Sequence, residues 1–349
     1  MTREALERAF APRLARGREV RVLGAGAPAA TPLPACVAIG AFDGVHRGHR
    51  HLLERCVADA RARGVAAVAV TFDPDPDVVV SAAPAPKLLC CADRLRALSA
   101  SGVDLVLVVP FTSALAALDH EAFFTRVLAP ELDIRAVHVG SDFRLGAHGA
   151  STVEVIRAWG RDRGIEVLGH DLVLDDAVVG APEVISATHI RAALAAGDVR
   201  GAARMLGRGP YVAGTVVHGR GEGTGLGFPT ANVERAEPLQ MPADGVYAGW
   251  VLTGAPSEPA GTAPARPVAY PAAINVGLPP MFAGHPESAT LEATLVGFSG
   301  DLYGAEVAVL FTDRLRPPAR FDSLDALVSA VRGNIEDVRR ALGAEGVAL

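Results

Sequence analysis

From Cys36 onward the chain alternates between continuous apolar runs and amphipathic stretches. The runs lie at Cys36–Ala41, Val65–Phe72, Val103–Phe111, Ile134–Val139 and Ile165–Leu174. They lack the one-in-two polar spacing of a half-exposed strand, so they predict strands buried on both faces. Between them, apolar positions recur at helical spacing over His49–Arg63, Ala92–Ser99, His120–Leu128 and Thr152–Arg163. Alternation of this kind predicts βαβ units and an open parallel sheet, an α/β fold of the Rossmann-like type. Ahead of it, Arg3–Leu14 reads as a short helix, followed by a strand-like piece and a Pro/Ala-rich loop. Gly24–Ala29 fits Gly-x-Gly-x-x-Ala on paper, but Pro28, Pro32 and Pro34 rule out the long helix a dinucleotide site needs.

The texture changes around Leu206–Pro210. Helical periodicity gives way to short β-like runs with Gly/Pro turns at Tyr211–Val217, Gly245–Leu252, Val268–Val276, Ala289–Phe298 and Glu306–Leu315. Short strands with close turns predict a small antiparallel barrel. Ala255–Arg266 reads as a hairpin tip, and Ser323–Leu342 as a closing helix with Leu324, Leu327, Val331, Ile335 and Val338 along one stripe. Two domains are therefore expected, residues 1–206 and residues 207–349; 349 residues suffice for a core in each.

Composition narrows the function. A formal net charge of −6 speaks against a dedicated nucleic-acid binder. No apolar stretch reaches membrane-spanning length, and Met1–Gly17 does not read as a secretory signal, so a cytoplasmic location is the expectation. Cys36, Cys56, Cys90 and Cys91 show no CxxC spacing and read as reduced thiols. The basic residues are arginines apart from Lys87, so the lysine of a P-loop or of a protein kinase is missing.

Two stretches carry candidate chemistry. In Gly40-Ala41-Phe42-Asp43-Gly44-Val45-His46-Arg47-Gly48-His49 a strand runs through a tight turn into a helix. A helix N-terminus offers unpaired N–H groups to a phosphate, and the i, i+3 spacing of His46 and His49 puts both rings on one face. An HxxH pair can also bind zinc, but no third soft ligand stands nearby in sequence. Thr71–Pro76 and Val139–Arg144 follow strands and fall at the same carboxyl edge, where ligands of open α/β sheets bind. Farther on, Ser186 is a plausible helix cap, and Arg191 on the following helix could reach a phosphate. The second stretch, His218–Asn232, alternates glycine with other residues through Gly227 and then reads Phe228-Pro229-Thr230-Ala231-Asn232. Its glycines permit close backbone approach, and Thr230 and Asn232 supply the hard oxygen donors that magnesium prefers.

With these motifs in view, the N-terminal half resembles the FMN adenylyltransferase module. It carries Gly-x-Phe-Asp-Gly-Val-His-x-Gly-His, Thr-Phe-Asp-Pro, Gly-x-Asp-Phe-Arg and Ser-x-Thr-x-Ile-Arg. The C-terminal half resembles the riboflavin kinase barrel through Leu226–Asn232, Gly245-Val246-Tyr247, Ile274-Asn275-Val276-Gly277, Glu292 and Gly300-Asp301-Leu302-Tyr303-Gly304. Together, over about residues 20–343, the chain is similar to the prokaryotic bifunctional riboflavin kinase/FAD synthetase family. The resemblance implies a six-stranded antiparallel barrel with a terminal helix behind the nucleotidyltransferase sheet. It implies a transferase that makes FMN from riboflavin and ATP, then FAD and pyrophosphate from FMN and a second ATP, with Mg²⁺ and no nucleic acid or membrane partner, as a monomer or weak homo-oligomer. It assigns catalytic roles to His46, His49, Arg191 and Glu292, and nucleotide contacts to Gly40, Phe42, Asp43, Gly44, Ser186, Thr188, Gly219, Gly221, Gly227 and Pro229. It assigns flavin contacts to Asp142, Phe143, Arg144, Asn275 and Arg316, and the metal to Thr230 and Asn232.

The chain departs from the family pattern at several places. Asp75 stands where the family carries histidine, and a carboxylate there would repel phosphate. Leu145 replaces an aromatic and Ala187 a serine; Pro279-Pro280-Met281-Phe282 replaces Asn-Pro-Thr-Phe. Ser288-Ala289-Thr290 lacks the usual arginine, and Glu222 and Thr224 stand where a basic residue is common. These departures leave two alternatives to full bifunctionality: one active module beside a degenerate one, or a non-catalytic flavin- and nucleotide-binding regulator.

Overall fold

The structure, a computed structural model, describes residues 1–15, 17–25, 31–175, 183–218, 228, 230–254, 266–277 and 291–349. Most of the Pro/Ala-rich loop, the glycine-rich loop, the 255–265 hairpin tip and the 278–290 departures lie outside the described residues. The chain divides into two compact units.

Residues 15–85 and 91–186 form the first. Its sheet is built from β1 (Glu19–Val22), β2 (Leu33–Ile39), β3 (Ala66–Asp73), β4 (Leu105–Pro110), β5 (Leu132–Gly140) and β6 (Glu166–His170). All pairings are parallel, in the order β1-β4-β3-β2-β5-β6. The expected continuous burial is seen: Ala35 to Ile39 and Leu105 to Val109 are buried at every position. Helix α1 (Arg47–Arg63) turns Leu52, Leu53, Cys56, Val57 and Ala60 inward and stops at Gly64, whose φ of +67° is a left-handed cap. Helices α2 (Cys91–Ser99) and α3 (Val153–Arg161) follow, α3 capped by Thr152 Oγ1 accepting from the Val155 N–H.

Three local expectations change. The Arg3–Leu14 helix is two pieces, Arg3–Ala9 and Ala11–Leu14, broken just before Pro12, which cannot continue the N–H ladder. The 120–128 helix has one α-turn, His120–Ala122, then a π-helical stretch, Phe123–Leu128. That wider turn buries the consecutive Phe123 and Phe124, with Phe124 stacked on Trp159 at 5.0 Å. The Ile165–Leu174 run stops being sheet at His170, because its partner β5 ends at Gly140; Leu174–Asp175 pairs instead with Glu183–Val184.

Residues 1–14, 86–90 and 187–349 form the second unit. Strands β7 (Tyr211–Val217), β8 (Ala231–Glu234), β9 (Gly245–Thr253), β10 (Val268–Val276), β11 (Leu291–Leu295) and β12 (Glu306–Arg316) pair antiparallel in the order β9-β12-β7-β8-β11-β10. A β9–β10 pairing closes the barrel with six strands, as expected. Strand β8 was not legible from periodicity; at four residues it is too short to show any. Gly249 on β9 is dictated by closure: a Cβ there would come within 1.9 Å of the Leu310 carbonyl oxygen on β12. Helices α4 (Ala187–Ala195) and α5 (Val199–Leu206) pack within this unit, the Ala243 N–H donating to the Leu194 carbonyl at 2.9 Å. The closing helix α6 (Leu324–Leu342), capped by Ser323 Oγ, packs Ile335 and Val338 onto Ala248 and Ala273 of β9 and β10.

Candidate active sites

In the parallel sheet, β3 and β4 lie on one side of β2, while β5 lies on the other. The β2–β5 boundary is thus the switch point of the topology, where ligands of open α/β sheets bind. Ala38 pairs with His138, so Gly40 and Gly140 leave the sheet at one level and their loops flank this crevice.

The β2 loop is held in an unusual conformation. Phe42 (φ +55°), Gly44 (φ +76°) and Val45 (φ +41°) are all left-handed, and for a β-branched residue such as Val45 that is strained. Asp43 is buried, and Thr71 Oγ1 and Arg94 Nη1 both donate to the Ala41 carbonyl, at 3.2 and 3.1 Å. The strain is thus held by neighbouring elements, and it delivers His46 to the N-cap of α1. There His46 Nδ1 accepts from the His49 backbone N–H at 3.3 Å, which leaves its proton on Nε2. The two rings stack at 3.6 Å between centroids, with Phe42 edge-on to His49 at 5.3 Å. His49 Nδ1 is buried and has no hydrogen-bond partner among the described residues. Burial, and secondarily His46, hold the His49 pKa well below the ordinary histidine range. The face over the helix end therefore offers hydrogen bonds from neutral rings and N–H groups rather than imidazolium charge.

Asp75 does not point a bare charge at this site. Its carboxylate forms a buried ion pair with Arg94, which donates also to the Phe72 carbonyl at 2.8 Å. Arg94, on α2, gave no sequence signal; it compensates the substituted position and ties the ends of β2 and β3. The expected repulsion of phosphate by an uncompensated Asp75 does not hold here. At the β5 end, Phe143 packs partly against the sheet core while Asp142 and Arg144 are exposed. Leu145 joins that core and pairs with Ser151.

Ser186 ends the first unit; Thr188 and Arg191 belong to the second. There Thr188 is exposed and Arg191 Nε donates to the Pro86 carbonyl at 2.8 Å.

In the barrel, register gathers residues far apart in sequence. Asn232 on β8 pairs with Glu292 on β11, and Glu292 with Asn275 on β10. Asn275 pairs with Val246, and Val246 with Arg316 on β12. Directly paired residues share a face, so Asn232, Glu292, Asn275 and Arg316 lie in one lateral row. It is the face of Ala273, two residues from Asn275, onto which α6 packs. Arg316 Nε donates to Asn334 Oδ1 of α6 at 3.2 Å, and its guanidinium lies 5.5 Å from the Phe321 ring. Thr230 precedes β8, two residues from Asn232. The Thr230 hydroxyl and the Asn232 amide oxygen are hard oxygen donors of the type that suits Mg²⁺, and the Glu292 carboxylate stands beside them as a base. Gly219, Gly221, Gly227 and Pro229 lie outside the described residues.

Comparison with known proteins decides the family. The family model described as FAD synthetase matches residues 29–180, and that described as riboflavin kinase matches residues 206–342. A bifunctional riboflavin kinase/FMN adenylyltransferase from Pseudomonas fluorescens is 35% identical over 305 residues, covering 87% of this chain and 92% of that protein. The chain belongs to the bifunctional riboflavin kinase/FMN adenylyltransferase family. The Escherichia coli K12 enzyme of the same name is 34% identical over 302 residues, covering 86% of this chain and 90% of its own. A crystal structure described as a macrolide-efflux protein from Streptococcus pneumoniae matches with a TM-score of 0.76 and 29% identity, over 92% of this chain and 98% of that one. Among the described residues no helix of this family member is long and apolar enough to cross a membrane.

Two predictions follow from the electrostatics. Asp75→Ala leaves the Arg94 charge buried without its carboxylate and should cost about 3 kcal/mol or more in urea unfolding. Adding Arg94→Met should recover part of that loss; an Asp75→Ala variant as stable as the wild-type chain would show the pair to be unimportant. His49, neutral in the fold, binds no proton there as pH falls through the unfolded value near ~6.5, whereas the unfolded chain does. Its stability contribution is therefore present above that pH and lost below it. Between pH 7.5 and 5.5 the wild-type chain should lose more unfolding free energy than His49→Gln, by at most about 1.4 kcal/mol per pH unit; equal losses would contradict the burial of a neutral ring.

Proposed function

We propose that the barrel phosphorylates riboflavin to FMN and that the parallel-sheet unit adenylates FMN to FAD. What supports this is convergence. The motif residues from four barrel strands fall in one row, and those of the β2 loop meet over a helix end at the sheet's switch point.

In the kinase reaction the nucleophile is an alcohol, so a base is needed. Glu292 takes the proton of the riboflavin 5′-hydroxyl as that oxygen attacks the γ-phosphorus of ATP and ADP departs. Thr230 and Asn232 would hold Mg²⁺, which would neutralise the ATP phosphate charge. Asn275 and Arg316, the latter tied to α6, line the flavin side.

In the second reaction the nucleophile is the FMN phosphate, already ionised, so no strong base is required. The oxygen attacks the α-phosphorus of ATP and pyrophosphate leaves. Catalysis is then positioning and hydrogen bonding to the developing charge. His46 donates from Nε2, and His49 from whichever ring nitrogen carries its proton; Gly40, Phe42, Asp43 and Gly44 shape the nucleotide pocket. Ser186, at the end of the same unit, adds a hydroxyl donor, and Asp142–Arg144 meet the flavin. The compensated charge of Asp75 favours two active modules over a degenerate one.

Separate variants test the division of labour, with FMN and FAD resolved by chromatography. Glu292→Gln should lower FMN formation from riboflavin by about 10²–10⁴-fold and leave FAD formation from supplied FMN unchanged. His49→Gln should do the reverse, lowering FAD formation about 10²-fold or more. Loss of both activities from either single variant would sink the two-site reading.

A further inference from the structure

A second group of chemistry-bearing side chains lies in the parallel-sheet unit, away from the β2 loop. Cys36 on β2, Asp59 on α1 and His138 on β5 bring a sulfur, a carboxylate oxygen and an imidazole nitrogen within 4.8 Å of one another. Asp59 Oδ2 is the hub, 3.0 Å from His138 Nε2 and 3.6 Å from Cys36 Sγ. Two of the three inner ligands have an outer partner. Asp59 Oδ1 accepts from Arg63 Nε at 2.8 Å, and His138 Nδ1 lies 2.9 Å from His170 Nε2. Outer contacts of this kind orient metal ligands and fix the histidine tautomer. Cys36 and His138 are buried, while Asp59 is partly exposed and gives an approach from solvent.

A hydrogen-bonded Asp–His pair is complete without a thiol, and a thiol is a weak donor. The spacing has a better reading. With Zn–S near ~2.3 Å and Zn–O and Zn–N near ~2.0 Å, a tetrahedral ion separates sulfur from oxygen by about 3.5 Å and nitrogen from oxygen by about 3.3 Å. The observed 3.6 and 3.0 Å are within small side-chain adjustments of that. A mixed sulfur, nitrogen and oxygen set suits a borderline transition-metal ion and not Mg²⁺.

We propose that Cys36, Asp59 and His138 bind one divalent transition-metal ion of the zinc type, with water in the fourth position. On binding, the Cys36 S–H proton leaves to solvent. His138 carries its single proton on Nδ1, donated to His170 Nε2, so that Nε2 is free to ligate. Thiolate and carboxylate together cancel the charge of the dication, and Arg63 stays outside on Oδ1. The ion joins β2 and β5, the strands that flank the switch point, to the helix that presents His46 and His49. It stiffens the platform of the adenylylation site without touching the reacting atoms.

Cobalt(II) is the probe, added to the full-length chain after chelator treatment. The expected result is one equivalent bound, a near-ultraviolet thiolate-to-cobalt charge-transfer band, visible bands of four-coordinate intensity, and displacement of all of them by Zn²⁺. Cys36→Ser should abolish the charge-transfer band and His138→Gln should weaken binding at least tenfold; Cys56→Ser and His49→Gln should retain the band. Absence of the band in the wild-type chain overturns the proposal, as does a band that survives Cys36→Ser or is lost in Cys56→Ser. His138→Gln decides the matter even if the Cys36 variant does not fold: cobalt affinity unchanged in that variant overturns the proposal.

Discussion

Strand register is the constraint from which both sites follow. A sheet fixes which residue stands opposite which, and a slip of one residue sends every side chain to the other face. In the barrel, that constraint alone sets Asn232, Glu292, Asn275 and Arg316 side by side. In the parallel sheet, the Ala38–His138 pairing makes the β2 and β5 loops leave at one level. Where a strand carries both core and polar positions, as β8 and β11 do, a slip would bury the polar ones, so the chemistry inherits its precision from the core.

On that frame, electrostatics are arranged with few free charges. His46 serves as a helix cap, and His49 is stacked beneath it as a neutral ring. Strained φ angles at Phe42 and Val45 deliver the pair to the helix end, and side chains of Thr71 and Arg94 hold the loop there. Arg94 also neutralises Asp75, so a substitution that reads as hostile to phosphate becomes part of the scaffold.

Much of this was legible in the sequence, and the exceptions have physical reasons. Continuous apolar runs located the central strands, because a strand buried on both faces has little freedom in composition. His46 and His49 were legible because they sit three apart on a helix start; that one caps and the other is buried was not, since it depends on loop conformation. Glu292, Asn232 and Asn275 could be named singly by resemblance, but their row depends on pairing across long loops. Strand β8 is too short for a period, and the π-helical turn at Phe123–Leu128 answers to packing against Trp159. Asp75 was misread because its partner lies nineteen residues on, in a different element. Cys36, Asp59 and His138 come from two strands and a helix, and no spacing motif joins them.

The central claim is that one chain performs two consecutive transfers from two ATP molecules at two sites. Position-labelled ATP tests it directly, with riboflavin as the only flavin supplied. Phosphorus from the γ-position should appear in FMN and be retained in FAD, whereas phosphorus from the α-position should appear in FAD and never in FMN. Label from the α-position in FMN, or FAD free of the γ-label, would contradict it.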